Sequence, residues 1–322
     1  MTQQPAPATR PDEPTTDPAP LRDVEAVVVA YRSRAQVEQM LAGLPPDLPL
    51  VVVDNSDGSD GLEDVVLARR NGRYLRGGGV GFARAANLGA RTSTAEHLVF
   101  INPDTRPTTA DLATLVSDVA TDPRCSASGG TLVEPDGRSQ LGVGGWEPSL
   151  RRAAVHAVAL HKLFPGAGIY ARPEVGTPVH LDWVSGGCMA VRRQAFLDLG
   201  CFDEDFYVYN EDMAFGRVSR RQGMAERLRT DVLITGSSGG SGAPSLEMMR
   251  LRGASMARYL RKYHPRVRAE LMTGVIGLGY AVRTLEQRLR RDRRRADEHW
   301  AYALGAFTGR AFVGGREVTS RD

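Results

Sequence analysis

The chain has 322 residues, 42% hydrophobic and 25% charged, with a formal net charge of +3. That composition is ordinary for a globular protein and excludes little, and the length leaves room for one large α/β domain or a domain with an appended helical part. Three cysteines without paired short spacing, Cys125, Cys188 and Cys201, exclude a zinc knuckle and a disulfide framework and point to a reducing cytoplasm. The longest apolar stretch, 271–285, is interrupted by Arg283 and is too short to span a bilayer. No charged segment followed by an apolar core opens the chain, so no secretory signal is expected.

Residues 1–22 are rich in Pro, Ala, Thr and Gln and read as a disordered leader. Val24 to Ala30 has the β-branched density of a first strand, and 33–44 has helical spacing that Pro45-Pro46 stops. Leu50 to Val53 is a second strand ending at the turn formers Asp54-Asn55-Ser56-Asp57-Gly58. Strand, helix, strand makes a parallel βαβ unit. A short strand at 73–75 runs into Arg76-Gly77-Gly78-Gly79-Val80-Gly81-Phe82, a glycine loop that opens an Ala-rich helix.

The organising stretch follows. His97 to Ile101 reads as a strand covered on both faces, and Pro103 ends it because proline cannot donate to a ladder. Asp104 then stands at the carboxyl edge of the sheet, where open α/β sheets bind ligands. With the Asn102 amide it offers the hard oxygen ligands that Mg²⁺ or Mn²⁺ accepts while keeping positions for substrate phosphates, although an Asp-containing turn after a strand is common. A helix from Thr109 to Ala120, a strand at 129–133 and a turn at 134–137 come next. The Gly-, Pro- and Arg-rich middle, 139–180, predicts irregular connections with one short helix near 153–163.

Leu181 to Val184 and Cys188 to Val191 read as strands around Ser185-Gly186-Gly187, followed by a helix at 192–199. Asp203, Glu204 and Asp205 read as a solvated turn. Helices are expected at 213–223, 246–264 and 268–302, with a strand near Val232 to Ile234 and a loose Gly/Ser stretch at 235–245.

Three features carry chemistry. The glycine loop suits backbone approach to a diphosphate at a helix amino end, with Arg84 as cationic support, or else a tight packing turn. A dinucleotide fingerprint is disfavoured, because Arg84 stands where a small residue is needed and the loop follows the third strand rather than the first. Asp54 could accept a hydrogen bond from a pyrimidine N–H or cap its own turn. Glu211-Asp212 follows the aromatic run Phe202, Phe206, Tyr207 and Tyr209; partly desolvated carboxylates there would have raised pKa values suited to a general base, though acids in a first helical turn are also ordinary dipole partners.

Taken in order, 27–31, 51–56, 80–87, 102–104, 182–188, 202–206 and 209–212 resemble a family 2 inverting glycosyltransferase with the GT-A fold, of the rhamnosyltransferase-like kind, over about residues 24 to 235. The resemblance implies a Rossmann-like α/β domain at 23–245, with a mixed, mainly parallel sheet flanked by helices, and a basic helical extension at 246–322. It implies a nucleoside diphosphate sugar bound by Ala30, Tyr31, Asp54, Gly81, Arg84, Asn87, Asn102 and Asp104. Asn102-Pro103-Asp104 would occupy the Asp-x-Asp place, with Asp104 the charged ligand of Mg²⁺ or Mn²⁺. Asp212, beside Glu211, would be the catalytic base, and Trp183, Ser185, Gly186 and Gly187 would line the acceptor side. The implied reaction moves L-rhamnose from dTDP-rhamnose to a cell-surface glycan or polyprenyl-diphosphate-linked acceptor. The alternatives are a UDP-sugar donor such as UDP-galactofuranose, or a catalytically silent nucleotide-sugar or glycan-binding module on the same scaffold.

The arginine-rich segment 283–295 reads as a cationic helix with a thin apolar stripe, suited to an anionic membrane surface at the inner face of the cell membrane, to a contact in a homo-oligomer, or simply to solvent. No base-reading motif accompanies it, so nucleic acid is not an expected partner.

Overall fold

A computed structural model of the protein describes residues 21–319 apart from 22, 135, 172–175, 177 and 237–244. The expected leader and most of the Gly/Ser stretch therefore lie outside the described residues. In chain order the first half holds β1 Val24–Ala30, α1 Arg34–Gly43, β2 Leu50–Asp54, α2 Leu62–Leu67, β3 Gly72–Arg76, α3 Phe82–Thr92, β4 His97–Ile101, β5 Thr105–Arg106, α4 Thr109–Thr121 and β6 Cys125–Val133. Then come β7 Gly144–Gly145, α5 Leu150–Ala157, β8 Val179–Leu181, β9 Trp183–Val184, β10 Cys188–Arg192, α6 Arg193–Asp198, α7 Glu211–Arg221 and β11 Ala225–Gly236. The carboxyl part is α8 Ser245–Tyr263, α9 Arg266–Leu289, α10 Arg293–Thr308 and a hairpin of β12 Phe312–Val313 and β13 Arg316–Glu317.

The main sheet runs β3-β2-β1-β4-β10-β6-β11-β5, with β8 also on β11. β1 to β4 are mutually parallel, β6 and β11 are parallel to each other, and β10 lies antiparallel between β4 and β6. This is the mixed, mainly parallel α/β architecture expected. The chain builds outward from β1 through β2 to β3 and then returns to place β4 on the other side of β1, so the strand order switches between β1 and β4. Ligand crevices in such sheets open at that switch, beyond the strands' carboxyl ends. β1, β2 and β4 are almost wholly buried, because helices cover both faces; this is why they read as unbroken apolar runs. α4 starts with a capping box in which the Thr108 side chain accepts from the Asp111 N–H while Asp111 accepts in return.

Four expectations are corrected. The single helix at 268–302 is two, because Arg291 takes a left-handed conformation (φ +61°) and the Asp292 side chain caps a new helix by accepting from the Arg295 N–H. The short helix of the middle segment is α5 at 150–157, followed by single 3₁₀ turns. β11 is twelve residues long rather than a short strand near 232. The acids at 203–205 are not a solvated turn: Asp203 and Asp205 accept from Lys262 Nζ at 2.6 Å each, Asp203 also from the Tyr263 hydroxyl, and Glu204 from Asn87 at 3.0 Å and Arg91 at 2.9 Å. The loop is clamped between α3 and α8.

The helical extension does not pack as a separate body. Met256, Tyr259 and Leu260 of α8, Met272 and Ile276 of α9 and Tyr302 of α10 share one buried cluster with Trp183, Phe206, Met213 and Ala214. Glu147 fastens the joint, accepting from Arg217, from Arg220 at 2.6 Å and from the Tyr259 hydroxyl at 2.7 Å, with the His264 ring at 3.3 Å. Burial opposes the Glu147 charge, but these donors outweigh it and hold the carboxyl below its usual range.

Candidate active site

The loop between β9 and β10 ties the end of β4 to the start of α7. After β4, Asn102 to Thr105 form a turn closed by the Thr105 N–H donating to the Asn102 carbonyl, with Pro103 and Asp104 at its corners. The Asn102 N–H donates to the Gly187 carbonyl at 2.8 Å. One residue back, the Gly186 N–H donates to the Asp212 carboxylate at the start of α7. Thus one loop, Ser185-Gly186-Gly187, is bonded both to Asn102, at the start of the turn that carries Asp104, and to Asp212. The loop must be this slim: a Cβ on Gly187 would stand 2.7 Å from Leu132 Cδ1. The Ser185 hydroxyl accepts from the Gly187 N–H and steadies the turn.

Asp212 is partly buried and accepts from the Met213 N–H at 2.7 Å. Loss of water outweighs these N–H donors and pushes its carboxyl up to about 6. Glu211 beside it is buried, its Oε2 has no hydrogen-bond partner among the described residues, and desolvation together with the nearby Asp212 pushes its carboxyl well above the usual range. Burial thus favours the protonated form of both acids, and Asp212 differs from Glu211 in having backbone N–H donors that oppose the shift. The backbone before them is strained, with Tyr209 (φ +68°) and Asn210 (φ +71°) both left-handed without being glycine. Such strain is characteristic of pre-organised sites.

The glycine loop closes the site from the opposite side. Gly81 has φ +94°, and a Cβ there would lie 2.3 Å from the Tyr207 carbonyl oxygen, which accepts from the Phe82 N–H at 2.6 Å. Asn55 Oδ1 accepts from the Val80 N–H at 2.8 Å and holds the loop to the end of β2; sequence reasoning took Asn55 only as a turn former. Asp54 is buried and makes its turn, accepting from the Ser56 N–H and hydroxyl and, through Oδ2, from the Tyr74 hydroxyl at 2.7 Å. Ala30, at the end of β1, is buried and its carbonyl accepts from the Asn55 N–H, while Tyr31 remains half-buried at the sheet edge.

Two expected site residues turn inward. Asn87 is fully buried, giving its amide to the Phe202 backbone in both directions and to Glu204, so it is a tie between α3 and the acidic loop rather than a donor contact. Trp183 is buried in the core shared with the extension, its ring edge-on to Tyr170. Arg84 stays exposed, its Nε 3.9 Å from Glu204. One residue that pattern reading missed is Glu226 on β11: fully buried, it accepts from the Val184 N–H at 2.6 Å through Oε2, and its Oε1 has no partner among the described residues. Desolvation holds it well above its ordinary value, and Asp212 is near enough to add to the shift.

The sequence profile of Glycosyl transferase family 2 matches residues 26–200, more than half of the chain. The chain belongs to glycosyl transferase family 2. This family 2 enzyme is 30% identical, over 209 residues covering 59% of it and 68% of the relative, to the N-acetylglucosaminyl-diphospho-decaprenol L-rhamnosyltransferase of Mycobacterium tuberculosis. It is 23% identical over 208 residues, 63% of each chain, to a low-salt glycan biosynthesis hexosyltransferase of Haloferax volcanii. Among solved structures, the glycosyltransferase superposes on a mannosyltransferase of Pyrobaculum calidifontis in complex with GDP-Man and Mn²⁺, with a TM-score of 0.53 and 17% identity over 89% of this chain and 86% of that one. GalNAc-T7 with UDP, GalNAc and Mn²⁺ follows with a TM-score of 0.50 and 13% identity; 78% of this chain covers 54% of that chain. The solved structures share the GT-A fold with this chain, and its sequence is similar to that of a rhamnosyltransferase.

Proposed function

We propose that this glycosyltransferase moves L-rhamnose from dTDP-rhamnose to a hydroxyl of a polyprenyl-diphosphate-linked sugar, inverting the anomeric centre in one displacement. The observation that carries the reading is a carboxylate of raised pKa, Asp212, linked by hydrogen bonds through one glycine loop to Asn102, which begins the turn carrying Asp104 at the sheet's switch point. In this reading Asp212 takes the proton of the acceptor hydroxyl as its oxygen bonds to the anomeric carbon, and the bond from that carbon to the diphosphate oxygen breaks. The glycine loop lets the backbone approach the diphosphate at Gly78, Gly79 and Gly81, the N–H groups of Val80 and Phe82 being donated to Asn55 and Tyr207, and Asp54 and Tyr31 stand at the nucleoside end.

The donor set at Asn102 and Asp104 fits a divalent ion. No cluster of three or more His, Cys, Asp or Glu ligands exists among the described residues, and one carboxylate with one amide oxygen suits Mg²⁺ or Mn²⁺, which keep waters and take substrate phosphates as ligands. When bound, such an ion offsets the charge that develops on the leaving diphosphate. Nucleoside diphosphate release from a panel of dTDP-, UDP- and GDP-sugars tests the reading. Turnover confined to dTDP-rhamnose supports it; near wild-type rates in both Asp212→Asn and Asp104→Ala would refute the chemistry.

A lipid-linked acceptor is reached from a membrane surface, and α9 supports that placement. Leu271, Leu278, Val282, Leu285 and Leu289 are each more than half exposed and follow heptad-like spacing along one helix face. The exposed side chains of Val158, Leu160, Leu163 and Phe164 lie beyond α5, which packs on α9 through Ala157 and Gly279. Exposed arginines at 288, 290, 291, 293, 294 and 295 continue from the end of the stripe. Apolar area flanked by cations suits an anionic bilayer. No helix among the described residues is long and apolar enough to cross it. Co-sedimentation with vesicles containing phosphatidylglycerol, lost in Leu278→Glu/Leu285→Glu, tests this placement.

A further inference from the structure

The cationic side chains of α8 are used up in holding the fold, with one exception. Arg250 donates to the Arg310 carbonyl, Arg258 to the carbonyls of Asp205 and Thr319, Arg261 to Glu270, and Lys262 to Asp203 and Asp205. Arg252 has no carboxylate partner among the described residues. Its guanidinium lies over the Tyr209 ring at 4.6 Å, and its side chain is exposed although tyrosines surround it. Tyr209 is the strained residue three positions before Asp212. Tyr170 is within electrostatic reach of both Arg252 and Asp212, and Tyr280, stacked on Tyr302 at 3.7 Å, lies within reach of Arg252. An exposed arginine over an aromatic ring, near tyrosines and without a carboxylate partner among the described residues, has the chemistry to bind a phosphate-type anion.

Its position decides which anion. Asp104 and the glycine loop, which receive the donor in the reading above, reach Asp212 from the sheet edge. Arg252 approaches the base from the helical extension, next to Tyr170 and the buried Trp183. We propose that Arg252, with Tyr170, Tyr209 and Tyr280, binds the diphosphate of the acceptor, so that the acceptor's first sugar lies between this anion and Asp212. The assignment rests on the transfer reaction proposed above and adds to it a specificity determinant: the enzyme selects acceptors by the charge beneath their first sugar.

The test compares two acceptors bearing the same sugar, farnesyl-diphospho-N-acetylglucosamine and neutral octyl N-acetylglucosaminide, with wild type, Arg252→Gln and Arg252→Lys. Arg252→Gln should lower kcat/KM for the diphosphate-linked acceptor by about ten- to a hundredfold, mainly through KM, the loss expected for a charge-assisted contact. Rates with the neutral acceptor and the KM for donor should be unchanged, and Arg252→Lys should recover part of the loss. Equal losses on both acceptors would show Arg252 to be merely structural, and a raised donor KM would assign it to the other diphosphate; either overturns the proposal. Calorimetric titration with farnesyl diphosphate separates this from a failure of the transfer reading. If wild type turns over no nucleotide sugar, binding that weakens about tenfold in Arg252→Gln still supports the anion site; equal binding by the two proteins overturns it.

Discussion

The pH dependence of transfer tests the division of labour between the two adjoining acids. Burial raises Asp212 from the ordinary aspartate value of 3.8 to about 6, which at about 1.4 kcal/mol per unit is roughly 3 kcal/mol in favour of the protonated form. A base must be ionised, so kcat/KM should fall on the acid side with an apparent pKa near 6. That is about nine-tenths of the plateau at pH 7 and about one-tenth at pH 5. Asp212→Asn should lose about 10²- to 10⁴-fold and flatten this limb, because no titrating base remains. Glu211→Gln should behave differently. Desolvation and the adjoining Asp212 favour the uncharged form of Glu211, so the amide approximates its shape and charge, and the acid limb and most of the activity should persist. Radiolabelled-donor transfer measured from pH 5 to 9 for the three proteins, with circular dichroism to verify folding, decides the matter. A limb that survives in Asp212→Asn and disappears in Glu211→Gln would assign the base to Glu211 and refute the argument from desolvation.

Three further outcomes follow from other parts of the site. Glu226→Gln keeps an acceptor for the Val184 N–H and removes an ionisable group that burial holds well above its usual value. In the wild type, the protonated form contributes stability that is lost as pH rises from the unfolded value toward the folded one, so the Tm advantage of Glu226→Gln should grow between pH 5 and 9; a constant difference would contradict this. Gly81→Ala forces a Cβ to 2.3 Å from the Tyr207 carbonyl at φ +94°, costing roughly 1–3 kcal/mol of stability and raising the donor KM as the loop shifts; thermal melts and donor kinetics check both. Asp104→Ala should cost about two orders of magnitude in kcat at saturating donor and Mn²⁺, the worth of a charge-offsetting ion, while dansyl-labelled acceptor binding stays unchanged.

The parts of the fold that could be read from sequence are those where local chemistry and tertiary environment agree. β1, β2 and β4 are covered on both faces, so every side chain is apolar and the runs need no partner to be recognised. Pro103 and Thr108 act within a few residues of themselves, and the structure puts a turn and a cap there. β11 escaped because its neighbours, not its own composition, make it a strand. Arg227 and Arg229 point outward onto Asp118, Asp122 and Asp231, and inward-facing Glu226 breaks the alternation that marks a half-buried strand. The acids at 203–205 look like a solvent-exposed turn for the same reason, since Asn87, Arg91 and Lys262 lie far away in the chain.

Candidate acids were therefore legible, but their protonation was not. Asp104, Asp212, Glu211 and Glu226 are alike as letters and differ in what folding does to their surroundings. Asp104 is placed in a tight turn at the sheet edge; Asp212 loses water but gains two backbone N–H donors; Glu211 loses water and lies beside another carboxylate. Desolvation raises a carboxyl pKa and donors lower it, so the acid with the most compensating donors remains the one able to take a proton at neutral pH. The Gly186 N–H is one of those donors, and it comes from the same loop whose Gly187 carbonyl receives Asn102. A displacement of that loop would thus act twice, moving the turn at Asn102 away from Asp212 and raising the Asp212 pKa. The tight glycine loop fixes both the spacing of the two foci and the ionisation of one of them.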